Sequence, residues 1–165
     1  SIKALLTVKV PGRSEMVDNK LDIPIMIDYA HSPESLQNIL KAVKSDTRGR
    51  VISVFGCGGD RDPLKRPIMG EIASHYSNFV IFTNDNPRTE DPEKIMDDIL
   101  KGVKKDNYTV CFDRREAIKK ALDMIEKNDI VLLLGKGHED YQILGRTKVH
   151  LDDSEEILKY NEKED

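Results

Sequence analysis

Asp85-Asn86-Pro87-Arg88 places a carboxylate, an amide and a guanidinium within four residues, and two further segments of the same character stand elsewhere in the chain. Gly56-Cys57-Gly58-Gly59-Asp60-Arg61-Asp62-Pro63-Leu64-Lys65-Arg66 joins glycines to two carboxylates and three cations. Gly135-Lys136-Gly137-His138-Glu139-Asp140-Tyr141-Gln142 brings a lysine, a histidine and two more acids. Arginine grips a planar carboxylate or phosphate by two-point contact, whereas lysine supplies charge with less geometric demand. Arg61, Lys65, Arg66 and Arg88 are therefore the cations to aim at a cleft, with Glu139 and Asp85 offering the opposite charge to a ligand ammonium. Such a mixture suits a zwitterion, for example an amino acid, better than a simple polyanion. In the plainer reading Asp60, Arg61 and Asp62 neutralise one another on the surface; the recurrence of the mixture in the next loop favours recognition.

A fourth segment, Asp28-Tyr29-Ala30-His31-Ser32-Pro33, follows the short apolar run Ile25-Met26-Ile27. Asp28 there can hold a ribose or a metal-bound phosphate, or simply cap a turn, and His31 can carry a proton or nothing. Gly56, Gly58 and Gly59 permit close backbone approach, but no Gly-x-x-x-x-Gly-Lys-Ser/Thr phosphate loop occurs, so any ATP phosphates must be held by another domain. The dinucleotide fingerprint and the nucleophile-elbow setting are also missing. Two cysteines, Cys57 and Cys111, are too few for a structural zinc site and read as two buried thiols. No metal site is assigned.

The elements that must position these segments are legible from periodicity. Apolar runs at Ala4–Val10, Ile25–Ile27, Val51–Phe55, Phe79–Phe82, Tyr108–Phe112 and Ile130–Leu134 read as strands. Pro11-Gly12-Arg13 reads as a turn, most simply a surface corner. Helices are expected from Pro33, capped by Ser32; from Pro67, with Ile68, Met69, Ile72, Ala73 and Tyr76 inward; from Pro92, capped by Asp91; and after Asp113, which caps a helix whose Arg114 stands within reach of a ligand. Met69 and Met96 fit the apolar stripes and need no cofactor. Tyr141–Ile143 and Arg146–Val149 around Leu144-Gly145 suit a hairpin, and Asp153 caps a last helix from Ser154 towards Tyr160. The expectation is an α/β, Rossmann-like fold: a mainly parallel sheet flanked by helices, with a small carboxy-terminal hairpin. Loops starting at Asp28, Gly56, Thr83 and Gly135 then open at one sheet edge, where such folds bind ligands.

The 165 residues suffice for one domain, taken as residues 1–160 with a frayed tail at 161–165. A net charge of −4, from 26 basic and 30 acidic side chains, argues against a general nucleic-acid or anionic-membrane surface. No apolar run approaches the roughly 20 residues of a membrane span, and the start lacks a secretion pattern; the expected location is cytoplasmic.

Taken together in their order, Val51–Pro67, Asp85-Asn86-Pro87-Arg88 and Gly135–Gln142 closely resemble the carboxy-terminal domain of the Mur ligase family, in its tripeptide-synthetase branch. Pro11-Gly12-Arg13 with Glu15, Asp28–Pro33, Glu90-Asp91-Pro92 and Asp113-Arg114 with Ala117-Ile118 match it too, so the likeness runs from about Leu6 to Asp153. Ser32, where the family often has threonine, keeps the cap hydroxyl.

The resemblance implies the last of three domains. One holds a UDP-sugar, a second carries the ATP phosphate loop with Mg2+, and the third binds the incoming amino acid. It further implies a part in the ATP-dependent ligation of meso-diaminopimelate to UDP-N-acetylmuramoyl-L-alanyl-D-glutamate in bacterial peptidoglycan precursor synthesis. By the same resemblance Arg88 pairs the distal carboxylate that lysine lacks, Glu139 and the Gly135 backbone hold the distal amino acid end, and Arg61 holds a carboxylate near the reacting end. Asp85, Asn86 and Pro87 shape the loop. Arg13 and Asp28 are nucleotide contacts across the domain boundary, and His31 and Lys136 are further candidates. The alternatives are the L-lysine-adding ligase, a folylpolyglutamate-type ligase, an isolated nucleotide or amino-acid binding module, and polar loops that only solubilise the ends of a fold.

Overall fold

A computed structural model describes residues 15–17, 24–137 and 139–163. The expected strand Ala4–Val10, the turn at Pro11-Gly12-Arg13 and His138 lie outside these described residues. In chain order the elements are β1 (Glu15–Met16), β2 (Ile25–Asp28), α1 (Pro33–Asp46), β3 (Val51–Phe55), α2 (Lys65–Tyr76), β4 (Phe79–Phe82), α3 (Pro92–Leu100), β5 (Tyr108–Val110), α4 (Arg114–Asp123), β6 (Ile130–Leu134), β7 (Tyr141–Leu144), β8 (Thr147–His150) and α5 (Asp153–Lys163).

Strands β1 to β6 form one sheet in the order β1-β2-β6-β3-β4-β5, parallel except for the antiparallel edge strand β1; β7 and β8 pair as a separate hairpin. The central strands are continuous apolar runs because both faces are covered. In β3, Val51 and Phe55 pack towards α1, α2 and α3, whereas Ile52 and Val54 pack towards α4 and α5. The same alternation divides Ile130, Leu132 and Leu134 of β6 from Val131 and Leu133. Ser53 is the polar exception on β3, and its hydroxyl bonds that of Ser77 at 2.7 Å. Among the described residues no helix is long and apolar enough to cross a membrane.

Local signals place the helix starts. Ser32 accepts from the Ser35 N–H, the Ser35 hydroxyl accepts from the Ser32 N–H, and Pro33 opens α1, so two otherwise unpaired donors are met reciprocally. Asp91 and Asp113 cap α3 and α4. Several expectations need correction. Helix α2 begins at Lys65, not Pro67; no side chain caps it at Leu64, and the Asp62 carboxylate accepts the Leu64 N–H just before it. This earlier start leaves Ile68 half exposed and turns Arg66 inward. Strand β5 stops at Val110, with Phe112 exposed beyond it. Asp152, not Asp153, accepts the N–H groups of Ser154 and Glu155, and α5 continues through Lys163 into the stretch expected to fray.

Sequence progress runs outward through β3, β4 and β5 and then returns, via α4, to lay β6 between β2 and β3. Ligands in open α/β sheets bind at such a reversal, beyond the carboxyl ends of the strands. The loops after β2, β3, β4 and β6 all leave the sheet at that end.

Candidate functional site

The carboxyl ends of the strands open into a cleft of about 450 Å3, within the size range of small-molecule sites. Arg61, Lys65, Arg66, Asp85, Asn86, Arg88, Gly135, Glu139 and His31 of the residues chosen from sequence line it, beside Tyr29, Cys57 and Met69. Four segments spread over more than a hundred residues of sequence are thus brought to one place by the crossovers.

Two loops make the floor, and their backbones touch. A Cβ on Gly56 would lie 2.1 Å from the Thr83 carbonyl oxygen, and one on Gly59 would lie 1.9 Å from that of Pro87. Only glycine fits where backbone meets backbone so closely. The Gly59 N–H donates to the Asn86 carbonyl at 2.7 Å, and Pro87 enters the site through this backbone contact with Gly59. Asp60, at φ 55, accepts from both the N–H and the hydroxyl of Thr89, which ties the second half of each loop together.

Arg88 sits at φ 53, an uncommon conformation for a residue with a Cβ. Its Nη1 donates to the Gly59 carbonyl at 3.0 Å and the Asn86 carbonyl at 3.4 Å. Arg61 is exposed, with Nη1 on its neighbour's carbonyl, the Asp60 oxygen, at 3.1 Å. On the acidic side, the Tyr141 hydroxyl donates to Glu139 at 3.0 Å, a bond that raises the pKa of the phenol. Burial pushes the Asp85 carboxyl up, and the nearby Arg114 charge opposes it; Asp85 Oδ1 is buried with no hydrogen-bond partner. Burial also carries the Cys57 thiol up to about 12, with Asp85 adding to the effect, so Cys57 is a poor nucleophile at neutral pH. Both cysteines are free and partly exposed, not buried as expected.

Two cations expected near a ligand have their guanidinium groups already engaged by acids of the protein. The Arg66 guanidinium is 2 % exposed and donates to Glu90 at 2.6 and 2.7 Å, to Asp98 at 3.0 Å and to the Gly58 carbonyl at 3.2 Å. Arg114 is equally buried and forms a two-point pair with Asp153 at 2.9 and 2.8 Å. Each follows a turn and begins a helix, a position that looks like a ligand contact in sequence; only the distant acids Asp98 and Asp153 reveal otherwise.

Asp28 and Lys136 also lie off the cleft wall. The Asp28 carboxylate accepts the Ala30 N–H at 2.7 Å, and its carbonyl accepts the Gly135 N–H at 3.0 Å, so it joins the β2 and β6 loops. Lys136 is buried, donates to the Glu139 carbonyl and has its pKa lowered by burial. His31 donates through Nδ1–H to the Tyr29 carbonyl at 2.8 Å at the exposed rim. Arg13 is outside the described residues. Tyr29, Cys57 and Met69 are wall residues that sequence reasoning gave no role; their apolar or uncharged side chains carry no chemical signal apart from the loops they sit on. Among the described residues no three His, Cys, Asp or Glu side chains are grouped to hold a metal ion, and none of the loops has the spacing that cradles a triphosphate.

Residues 12–137 match the family described as Mur ligase, glutamate ligase domain. The chain is 53% identical, over 92% of its length, to the UDP-N-acetylmuramoyl-L-alanyl-D-glutamate--2,6-diaminopimelate ligase 1 of Clostridium acetobutylicum, and 53% identical over 88% to the ligase of that name from Clostridioides difficile. It spans about a third of those relatives, 32% and 31% of their lengths. A solved structure of a UDP-N-acetylmuramoyl-L-alanyl-D-glutamate--2,6-diaminopimelate ligase superposes with a TM-score of 0.87 at 39% identity, covering 95% of this chain and 32% of that one. Mycobacterium tuberculosis folylpolyglutamate synthase shares the fold, with a TM-score of 0.63 at 19% identity over 78% of this chain and 30% of that one.

Proposed function

The chain belongs to the Mur ligase family, as its glutamate ligase domain, and from that premise we propose that it supplies the amino-acid site of an ATP-dependent ligase joining meso-diaminopimelate to UDP-N-acetylmuramoyl-L-alanyl-D-glutamate. One observation carries this reading: Arg61 and Arg88 share a single cleft with Asp85 and Glu139. A doubly zwitterionic amino acid presents two carboxylates and two ammonium groups, and both signs are available on the wall. In this assignment Arg88 takes the distal carboxylate, Glu139 and the Gly135 backbone take the distal amino acid end, and Arg61 takes the carboxylate beside the reacting amine. Asp85, Asn86 and Pro87 hold the loop that carries Arg88. Held at both ends, the ligand keeps its free amine in a fixed direction, which is the contribution positioning makes to rate.

The described residues do not fit the binding of ATP phosphates or Mg2+. Those groups belong to the remaining two-thirds of the enzyme, with Asp28 and Arg13 meeting the nucleotide from this side. UDP-linked precursor and ATP place the reaction in the bacterial cytoplasm. The discriminating experiment is Arg88→Ala in the full-length ligase, with kcat/KM measured for meso-diaminopimelate and for L-lysine. A buried charge partner lost on one substrate alone costs on the order of a hundredfold or more in kcat/KM, so diaminopimelate should fall by that factor while lysine stays within a few-fold. An unchanged preference removes Arg88 from the role and reopens the lysine-adding and folylpolyglutamate-type readings.

A further inference from the structure

The family match ends at Gly137, yet the hairpin β7–β8 that follows is bonded directly to the loop bearing Arg88. Four consecutive hairpin residues make the contact. Gln142 Nε2 donates to the Asp85 carbonyl at 2.6 Å, and the Ile143 N–H donates to Asn86 Oδ1 at 2.9 Å. Leu144 forms a bridge with Arg88: the Arg88 N–H donates to the Ile143 carbonyl at 3.1 Å, and the Gly145 N–H donates to the Arg88 carbonyl at 2.8 Å. Both main-chain groups of Arg88 are therefore held from outside its own loop. A non-glycine residue persists at φ 53 only where its surroundings over-determine the backbone, and here the hairpin does so.

Building on the reading of the cleft as a diaminopimelate site, we propose that Gln142 is a specificity-positioning residue, fixing the direction of the Arg88 guanidinium from behind. Three of the four bonds run between backbone groups or use Asn86, and on the hairpin side they need only the main chain of residues 143 and 145. The bond to the Asp85 carbonyl is different, because it needs a side chain of this length carrying an N–H. Gln142 is buried, so no solvent molecule replaces it without rearrangement. The neighbouring Asp85 carboxylate already has one oxygen unpartnered, which makes a second unmet group at the same residue costly. With Gln142 gone the Asp85 carbonyl turns to find another donor, and the peptide that sets the course of Asn86 and Arg88 turns with it. Gln142 itself lines no part of the cleft, so its influence on the ligand passes entirely through the loop.

The test uses full-length ligase carrying Gln142→Leu, which keeps the bulk and removes the donor, with steady-state constants for meso-diaminopimelate, L-lysine and ATP. KM for diaminopimelate should rise about tenfold, the preference for diaminopimelate over lysine should narrow by a similar factor, and KM for ATP should hold. A general loss of fold would lower apparent kcat for both amino acids equally and leave the three KM values and the preference in place. Where Gln142→Leu does not accumulate as folded enzyme, Gln142→Glu keeps the shape, offers only acceptors when ionised and is expected to give the same selective rise. Unchanged KM and preference in the folded variant overturn the assignment. The Arg88→Ala enzyme in the same panel separates this failure from the larger one: selectivity lost with Arg88 and retained without Gln142 keeps the diaminopimelate site and discards the positioning role, whereas selectivity retained in both discards both.

Discussion

Arg66 shows how a single residue can be mistaken for a ligand contact when its partners lie far along the chain. Its two terminal nitrogens bind Glu90 in a fork, with Asp98 and the Gly58 carbonyl as further acceptors and Nε left without a partner among the described residues. These bonds hold the Glu90 carboxyl down at about 2, chiefly through Arg66, against 4.5 for a free side chain. Because the folded value lies below the unfolded one, the pair contributes its full stability above about pH 4.5 and loses it as the pH falls towards 2. Urea titrations across that window should show a stability decline that Glu90→Gln flattens; an identical slope in the variant would mean that Glu90 is not held by Arg66 in solution. Arg66→Met leaves Glu90 and Asp98 with only the exposed Lys94 and Lys101 as counter-charges, and losing one partner of a buried pair costs about 3–5 kcal/mol. Since the same guanidinium supports the Gly58 carbonyl, that loss should loosen the cleft floor as well.

At the scale of elements, the packing of α2 on α3 decides where the two central loops stand. Gly70 lies in the middle of α2, and a Cβ there would come within 2.3 Å of the Ile99 carbonyl oxygen on α3. On an exposed helix, glycine to alanine gains up to about 1 kcal/mol. Here the clash is with backbone that cannot swing away, and forcing helices apart in a packed core costs about 1–3 kcal/mol. Gly70→Ala should therefore destabilise the protein, lowering its urea midpoint; a raised midpoint would show that the helices separate at little cost. Gly102 repeats the relation from the other side, its Cβ position falling 1.8 Å from the Pro67 carbonyl oxygen. On the far face of the sheet, the Arg114–Asp153 pair, with both side chains fully buried, joins the start of α4 to the start of α5. The hairpin and α5 are thus fastened to the cleft from two directions.

For the whole molecule, the order of elements and the convergence of four loops were legible because apolar runs report burial and cap residues report helix starts locally. Ile25–Ile27 and Ile130–Leu134 carry that signal without ambiguity. What was not legible depends on pairing between distant residues. Nothing near Arg66 announces Asp98, nothing near Arg114 announces Asp153, and nothing in Gln142 announces the Asp85 carbonyl. The two-residue edge strand β1 was missed for a related reason, since its existence rests on pairing with Ile27 and Met26 and not on its own composition. The charged lining of the cleft is legible where charge recurs in the sequence, and the uncharged walls at Tyr29 and Met69 are not.

The cleft of this chain is walled on the sheet side by loops that hold one another, and under the proposed function the ligand's reacting amine points away from them, towards the part of the enzyme this chain does not span. Arg61 lines the cleft but is exposed, and its Nη1 donates to the Asp60 carbonyl of its own loop. Charged side chains in contact with solvent hold a zwitterion weakly, because water competes for every bond and ions screen the charge. Under the proposed function, closure against the rest of the ligase excludes that water and adds a further wall. Calorimetric titration of this chain with meso-diaminopimelate should therefore give binding in the millimolar range or none, with the full-length ligase binding far more tightly once nucleotide and precursor are present. Micromolar binding to the chain alone would mean that the four loops complete the amino-acid site without closure, and that domain movement serves the chemistry of the acyl donor instead of recognition of the amine.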